Sequence, residues 1–129
     1  MLTVLPSGQW TERGKRSVEI EGADHGMELS FHLEDQPPQT GPRLHKHPYG
    51  ETWVVITGKA EFSDGARTVP VAPGDVIHVG PDTPHKFRSV GEENLRIVCI
   101  HGSGRFSTEW LEDRTGAAGR SFSRRESGW

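Results

Sequence analysis

Three histidines and one glutamate fall at positions that metal chemistry would choose. His45 and His47 are two residues apart in a segment read as extended, so both side chains point to one face with their backbones about 6–7 Å apart. That spacing lets two imidazoles close on one ion. After three intervening residues Glu51 opens the next strand, and a reversal of that length returns its carboxylate to the pair. His85 arrives from a distant strand, directly after the turn Pro81-Asp82-Thr83-Pro84. Taken alone, His45-Lys46-His47 reads more readily as a solvated loop than as a ligand pair; the addition of Glu51 and His85 at this spacing favours an ion. Three neutral nitrogens and one carboxylate oxygen form a borderline-hard donor set suited to one divalent transition metal per chain, Fe(II) or Mn(II) first, with Zn(II), Ni(II) and Co(II) as alternatives. An ion that prefers six ligands keeps two positions open for water, substrate or oxygen, which is the arrangement of a catalytic site. Glu51 is then also a candidate base.

The elements that must position these residues are strands. The chain has 129 residues, enough for one domain, with 16 glycines, 9 prolines, 32% hydrophobic residues and a mean hydropathy of -0.64. That mix favours short strands and turns over a helical bundle. Alternating patterns place strands at 17–20 and 27–33, the second turning Met27, Leu29, Phe31 and Leu33 inward. Residues 36–42 carry three prolines and must be a loop. Further strands follow at 43–47, 51–57, 59–63, 66–71, 76–79, 85–90 and 95–101, separated by Gly, Pro, Asp and Asn, with Asp64-Gly65 the strongest hairpin signal. Strands of this spacing describe a β-sandwich or barrel. Ser107 to Asp113 reads as a short helix capped by Ser107. Residues 114–129 are rich in Gly, Ser and Arg and read as disordered on composition, with Phe122 and Trp129 as the available anchors.

Composition also excludes several functions. The apolar runs Trp53–Ile56 and Ile97–Ile100 are far short of the roughly 20 residues that cross a bilayer, so no membrane role is expected. The opening Met1–Pro6 lacks the features of a secretory leader, which makes a cytoplasmic location the expectation. A single cysteine makes no internal disulfide. A net charge of -3 and a pI near 6.1 leave no footprint for nucleic acid.

The order His45-x-His47, three residues, Glu51, six residues, Gly58, then fifteen residues to Gly74 and ten more to His85, resembles the cupin superfamily. The first cupin motif, HxH, three or four residues, Glu, six residues, Gly, is matched from His45 to Gly58; its leading glycine is displaced, Gly41 lying four residues before His45 instead of six. In the second motif Gly74 and His85 are in place, while Gly80 stands for the family's Pro, Asp82 for its Gly and Ser89 for its Asn. Asp tolerates the left-handed backbone such a turn requires, and Ser89 is a partial substitute for the Asn hydrogen bond. The resemblance covers residues 27 to about 101. It implies an all-β, double-stranded β-helix (jelly-roll) cupin barrel: an N-terminal strand and linker over 1–26, the barrel over 27–103, and a C-terminal helix and tail over 104–129 packing on the barrel or a partner subunit. Small cupins similar to this chain include dioxygenases, isomerases, decarboxylases and lyases. The donor set favours dioxygenase-like chemistry on a small chelating organic molecule. The alternatives are a non-catalytic small-molecule or metal-binding role and isomerase, decarboxylase or lyase chemistry.

Strand parity extends the reading to a substrate pocket. With Glu51 and His85 facing in, Trp53, Val55, Phe87 and Ser89 share their face, Arg43 lies on the face of His45, and Ile97, Cys99 and His101 turn inward from the last barrel strand. Arg43 would clamp a substrate carboxylate. His78 lies on a face the pattern does not assign, His25 and His32 read as surface residues, and Tyr49 lies in a turn, a poor place for a proton donor. Thr52, Val54 and Ile56 form an apolar outward face that needs covering, which points to a homodimer.

Overall fold

The computed structural model describes residues 1–6, 17–113 and 118–124, and for 118–124 the backbone only. Eleven strands alternate with turns in the described residues: β1 Ser17–Ile20, β2 Ser30–Gln36, β3 His45–Lys46, β4 Glu51–Thr57, β5 Ala60–Ser63, β6 Thr68–Val71, β7 Val76–Val79, β8 Lys86–Ser89, β9 Leu95–His101, β10 Thr108–Glu112 and β11 Ala118–Arg124. One 3-10 turn spans Gly22–His25. The strands form three antiparallel sheets, ordered β1-β2-β9-β4-β7, β6-β5-β8 and β11-β10-β3, an all-β barrel consistent with a jelly roll.

Turn chemistry sets where the strands end. Gly58 closes β4 at φ 80°, where an added Cβ would lie 2.5 Å from the Asn94 carbonyl oxygen, so the β4–β5 corner admits no side chain. Asp82 adopts φ 58°, the left-handed conformation expected of it, and its N–H donates to the His47 carbonyl at 2.7 Å. The Asp64 carboxylate accepts from the N–H groups of Ala66 and Arg67, fixing the β5–β6 hairpin.

Two zones fill the interior. Trp53, Val55, Ala60, Phe62, Val71, Phe87, Leu95, Ile97 and Cys99 form one apolar cluster, in which the Phe62 ring stacks on Phe87 and meets Trp53 edge-on. Beside it lies a buried polar zone containing Ser30, His32, Glu34, Gln36, His45, His47, Glu51, His85 and His101.

Two sequence expectations are corrected. The alternation in β2 is real but its phase is inverted: Ser30, His32, Glu34 and Gln36 are buried, Phe31 and Leu33 are half-buried on the outer face, and Leu29 is 44% exposed. Register decides this, because β2 pairs with β9 through Ser30↔His101 and His32↔Cys99, and the inward Cys99 and His101 carry their partners in with them. The short helix at 107–113 is absent; Thr108–Glu112 is β10, whose Trp110 lies opposite His45. The composition of the tail suggests disorder, yet its backbone over Ala118–Arg124 pairs with β10, Phe122 opposite Trp110. Trp129, the other anchor expected there, lies outside the described residues. Both β1 and β10 are laddered directly to barrel strands, so the sheets extend beyond residues 27–103 on either side.

Candidate metal centre

His45 and His85 face each other across a two-way backbone bridge, each N–H donating to the other's carbonyl at 3.1 and 2.8 Å. Their rings lie 4.3 Å apart, and the His47 ring is 5.0 and 5.2 Å from them. In all three, Nδ1 is 2.6–2.8 Å from a backbone carbonyl: Arg43 for His45, Ser107 for His47, Thr83 for His85. A carbonyl only accepts, so each Nδ1 carries the proton and each Nε2 keeps its lone pair. Glu51 reaches this group from the start of β4, Oε1 lying 2.9 Å from His47 Nε2 and 3.2 Å from His85 Nε2.

The four residues fit a metal ion. One donor atom from each of His45, His47, Glu51 and His85 lies within 4.8 Å of the others, and all four residues are buried. Metal bonds of about 2.0–2.2 Å need donors no more than about 4.4 Å apart, so contraction by a few tenths of an ångström suffices. The Nε2 atoms of His47 and His85 and both oxygens of Glu51 are close together yet form no well-directed hydrogen bond, an expensive arrangement for buried polar atoms unless a cation sits among them. Burial and the neighbouring His85 push the His45 imidazole well below its usual range, which keeps it neutral. Burial alone would raise the Glu51 carboxyl, but His101, His47 and His85 outweigh it and hold the carboxyl well below the ordinary range. His45 therefore presents a neutral nitrogen and Glu51 a carboxylate, the protonation states that bind metal.

A second histidine pair adjoins it. His101 Nε2 lies 3.3 Å from Glu51 Oε2 and 2.9 Å from His32 Nδ1, while its Nδ1 is 2.7 Å from the Tyr49 hydroxyl. His32 continues outward to Glu19 at 3.3 Å. The Glu19 carboxylate only accepts, so His32 donates from Nε2 and accepts at Nδ1 from His101 Nε2, which leaves His101 Nδ1 to accept from the Tyr49 O–H. Burial drops His101 to about 3 and raises the Tyr49 phenol above its usual range. His32 is 2% exposed, not a surface residue as its sequence context suggests, and it stacks on Phe106. Tyr49, placed in a turn, is nonetheless half-buried against His47. The available signal for both was the inward parity of His101.

The remaining pocket candidates fall elsewhere. Trp53, Val55, Phe87, Ile97 and Cys99 are packed into the apolar core, and burial raises the Cys99 thiol far above its usual range. Ser89 is buried, but its hydroxyl makes no hydrogen bond in place of the family's Asn. Arg43 does not reach the centre; its guanidinium stacks on Trp110 at 4.3 Å and donates to the Glu112 carbonyl at 3.4 Å. It lines an outer groove of about 830 Å³ with Lys86 and Arg88. A cavity of about 440 Å³ does reach His85, and its walls include Ile77 and Val79, half-buried residues of β7 that the sequence reading passed over.

A barrel with this centre is that of a cupin. The cupin domain model matches residues 32–101, and the chain belongs to that family. It is similar to an oxalate-binding protein from Thermotoga maritima, 27% identical over an alignment of 93 residues, with coverage of 67% of this chain and 77% of that protein. Solved structures of like fold include a polyketide cyclase from Streptomyces resistomycificus, with TM-score 0.62, 19% identity and coverage of 78% of this chain and 79% of that one. The oxalate decarboxylase of Lactobacillus farciminis has TM-score 0.67 and 20% identity, matching 81% of this chain but only 34% of its own. Among the described residues no helix is long and apolar enough to cross a membrane.

Proposed function

We propose that the protein is a metal-dependent cupin enzyme that holds one divalent transition metal on His45, His47, Glu51 and His85 and acts on a small oxygen-chelating molecule. The supporting observation is the convergence of three histidines, each with Nδ1 committed to a backbone carbonyl, on one buried carboxylate. A metal held by these four residues would supply Lewis acidity toward a chelating substrate or oxygen. The carbonyls of Arg43, Ser107 and Thr83 fix the imidazole orientations, and the Trp53 ring, 5.0 Å from that of His85, excludes water beneath it. Glu51 Oε1 faces His47 and His85 while Oε2 faces His101, so Oε2 is the oxygen left to serve as the candidate base once Oε1 is given to the metal. Iron or manganese with dioxygenase-like chemistry is the favoured form, because three nitrogens and one oxygen suit those ions.

Elemental analysis of untagged protein, purified without chelator or added metal, tests the proposal. Close to one equivalent of iron or manganese per chain is expected; absence of metal would overturn it. The His47→Ala variant is expected to bind metal at least about tenfold more weakly with an unchanged β spectrum. A second reading, binding without catalysis, is supported by the name of the 27% identical relative, an oxalate-binding protein. One equivalent of tightly held zinc with no exchangeable water would favour it. We also propose that two copies pair through the outer face of the five-stranded sheet.

A further inference from the structure

Among the described residues no strand ladder joins β6 to β7. β6 and β7 are the terminal strands of their respective sheets, and the cavity of about 440 Å³ lies between them. Its inward-facing walls are Phe62 from β5, Val69 and Val71 from β6, and Ile77 and Val79 from β7, with His85 at the inner end. Across the β4–β7 ladder Val79 is opposite Glu51 and Ile77 is opposite Trp53, so the cavity runs along β7 toward the metal centre. Apart from His85, every one of these inward side chains is apolar.

The polar groups at the rim do not suit an anion. Asp64 and Asp75 stand there against one permanent cation, Arg67, with Ser63 and an exposed His78 whose Nδ1 lies 2.8 Å from the Thr52 hydroxyl. Both carboxylates are engaged in turns, Asp64 with the N–H groups of Ala66 and Arg67 and Asp75 with that of Ala72. Arg67 is exposed and lies in the field of Asp64. A compact dianion could place one end on the metal, but among the described residues lining the cavity no buried lysine or arginine awaits the other. Volume gives the same answer: about 440 Å³ holds roughly fifteen waters at ~30 Å³ each. A six-atom dianion would leave most of that space wet against apolar walls.

We infer that the seam between β6 and β7 is the ligand port, and that its occupant is an oxygen chelator with an apolar body, of the aryl β-diketone or aromatic hydroxy-acid class, and not a compact dicarboxylate. The inference rests on the metal-centre reading above and selects among the substrates that reading allows. The chelating oxygens go to the metal, while the apolar body lies along Val69, Val71 and Ile77.

The test uses the full chain loaded with Co(II), with metal content, visible absorption and calorimetry as readouts. The probes are 1-phenylbutane-1,3-dione, acetylacetone, which has the same chelating head without the ring, and oxalate. The phenyl diketone is expected to bind at least about tenfold more tightly than either of the others, the ring burial supplying the difference. Ile77→Ser and, on the opposite wall, Val69→Ser are each expected to weaken the phenyl diketone by about tenfold with bound Co(II) unchanged and acetylacetone affinity nearly so. Two variants on different strands separate loss of the wall from loss of the fold. Oxalate binding as tightly as the phenyl diketone, or wall variants without effect on it, would overturn the inference while leaving the metal centre standing. Diketone affinity that falls as protein concentration rises would assign the seam to a second copy instead. A chain that takes up no Co(II) would defeat the metal-centre reading itself, and the inference with it.

Discussion

Glu34 offers a sharp electrostatic test because it is an acid sealed in the barrel. It is 3% exposed and accepts a hydrogen bond from Gln36 Nε2 at 2.8 Å. Burial raises its carboxyl from 4.5 to about 7, partly offset by His32 and by the Gln36 bond. The folded chain therefore holds this proton more tightly than the unfolded chain, so stability from this group is fully present below pH 4.5 and is lost as pH rises toward and through 7. At about 1.4 kcal/mol per tenfold change, the ionised acid costs the fold about 3 kcal/mol at pH 8 and under about 1 kcal/mol at pH 5. Glu34→Gln removes the ionisation and keeps an oxygen for the Gln36 amide. Urea unfolding at matched metal load is expected to find the variant more stable by about 3 kcal/mol at pH 8 and nearly equal to the parent at pH 5. His45 and His101 produce the opposite slope at acid pH, since their buried neutral forms must protonate on unfolding, but that contribution is common to both proteins and cancels. An equal stability difference at the two pH values would refute the reasoning, because it would make Glu34 a packing residue and not a buried ioniser.

Other expectations follow from single contacts. Tyr49→Phe deletes the donor to His101 Nδ1, leaving a buried nitrogen unbonded; a loss of about 1–3 kcal/mol is expected in urea unfolding with metal content unchanged, and a tenfold fall in metal would show that His101 steers Glu51. Gly58→Ala is expected to lower stability by more than about 2 kcal/mol, whereas Gly74→Ala, at φ 90° with nothing near its Cβ, loses only about 1 kcal/mol from backbone strain; equal thermal shifts would remove the Asn94 clash from the account. On the outer face of the five-stranded sheet, Val18, Leu33, Val98, Val54 and Val76 form one cross-strand row, and Ile20, Phe31, Ile100, Thr52 and His78 the next. Light scattering at micromolar concentration is expected to give twice 14.3 kDa, with Val54→Lys restoring the single-chain mass; a parent protein of single-chain mass would exclude pairing through this face.

That outer face also explains how far the sequence could be read. Strand existence was legible because Gly58, Gly74, Asp82 and the Asp64-Gly65 pair interrupt the chain wherever a turn is required. The convergence of His45, His47, Glu51 and His85 into one cluster that could hold a metal was legible because it depends on residue type and spacing. Phase was harder. In β2 both faces are occupied by something that must be covered, the polar zone within and the apolar rows without, so the rule that apolar residues face inward has no purchase. Only the pairing of His32 with Cys99 and of Ser30 with His101 settles the question, and that is a long-range fact.

The C-terminal segment shows the same limit from the side of local propensity. Ser107 followed by Thr-Glu-Trp-Leu-Glu-Asp carries a helix cap and acidic first-turn residues, but Trp110 and Thr108 are equally at home in a strand. The outcome is decided by what β3 lacks. The two-residue strand bearing His45 has one backbone edge bridged to His85, and its other edge, beside a buried histidine, must be paired or solvated. β10 supplies that pairing, places Trp110 5.0 Å from the His45 ring, and gives Arg43 an aromatic face on the outside of the barrel. The residue that looked most like a substrate clamp thus helps to hold the strand that holds the first metal-site histidine. For that reason Arg43→Ala should disturb metal retention before it disturbs ligand recognition.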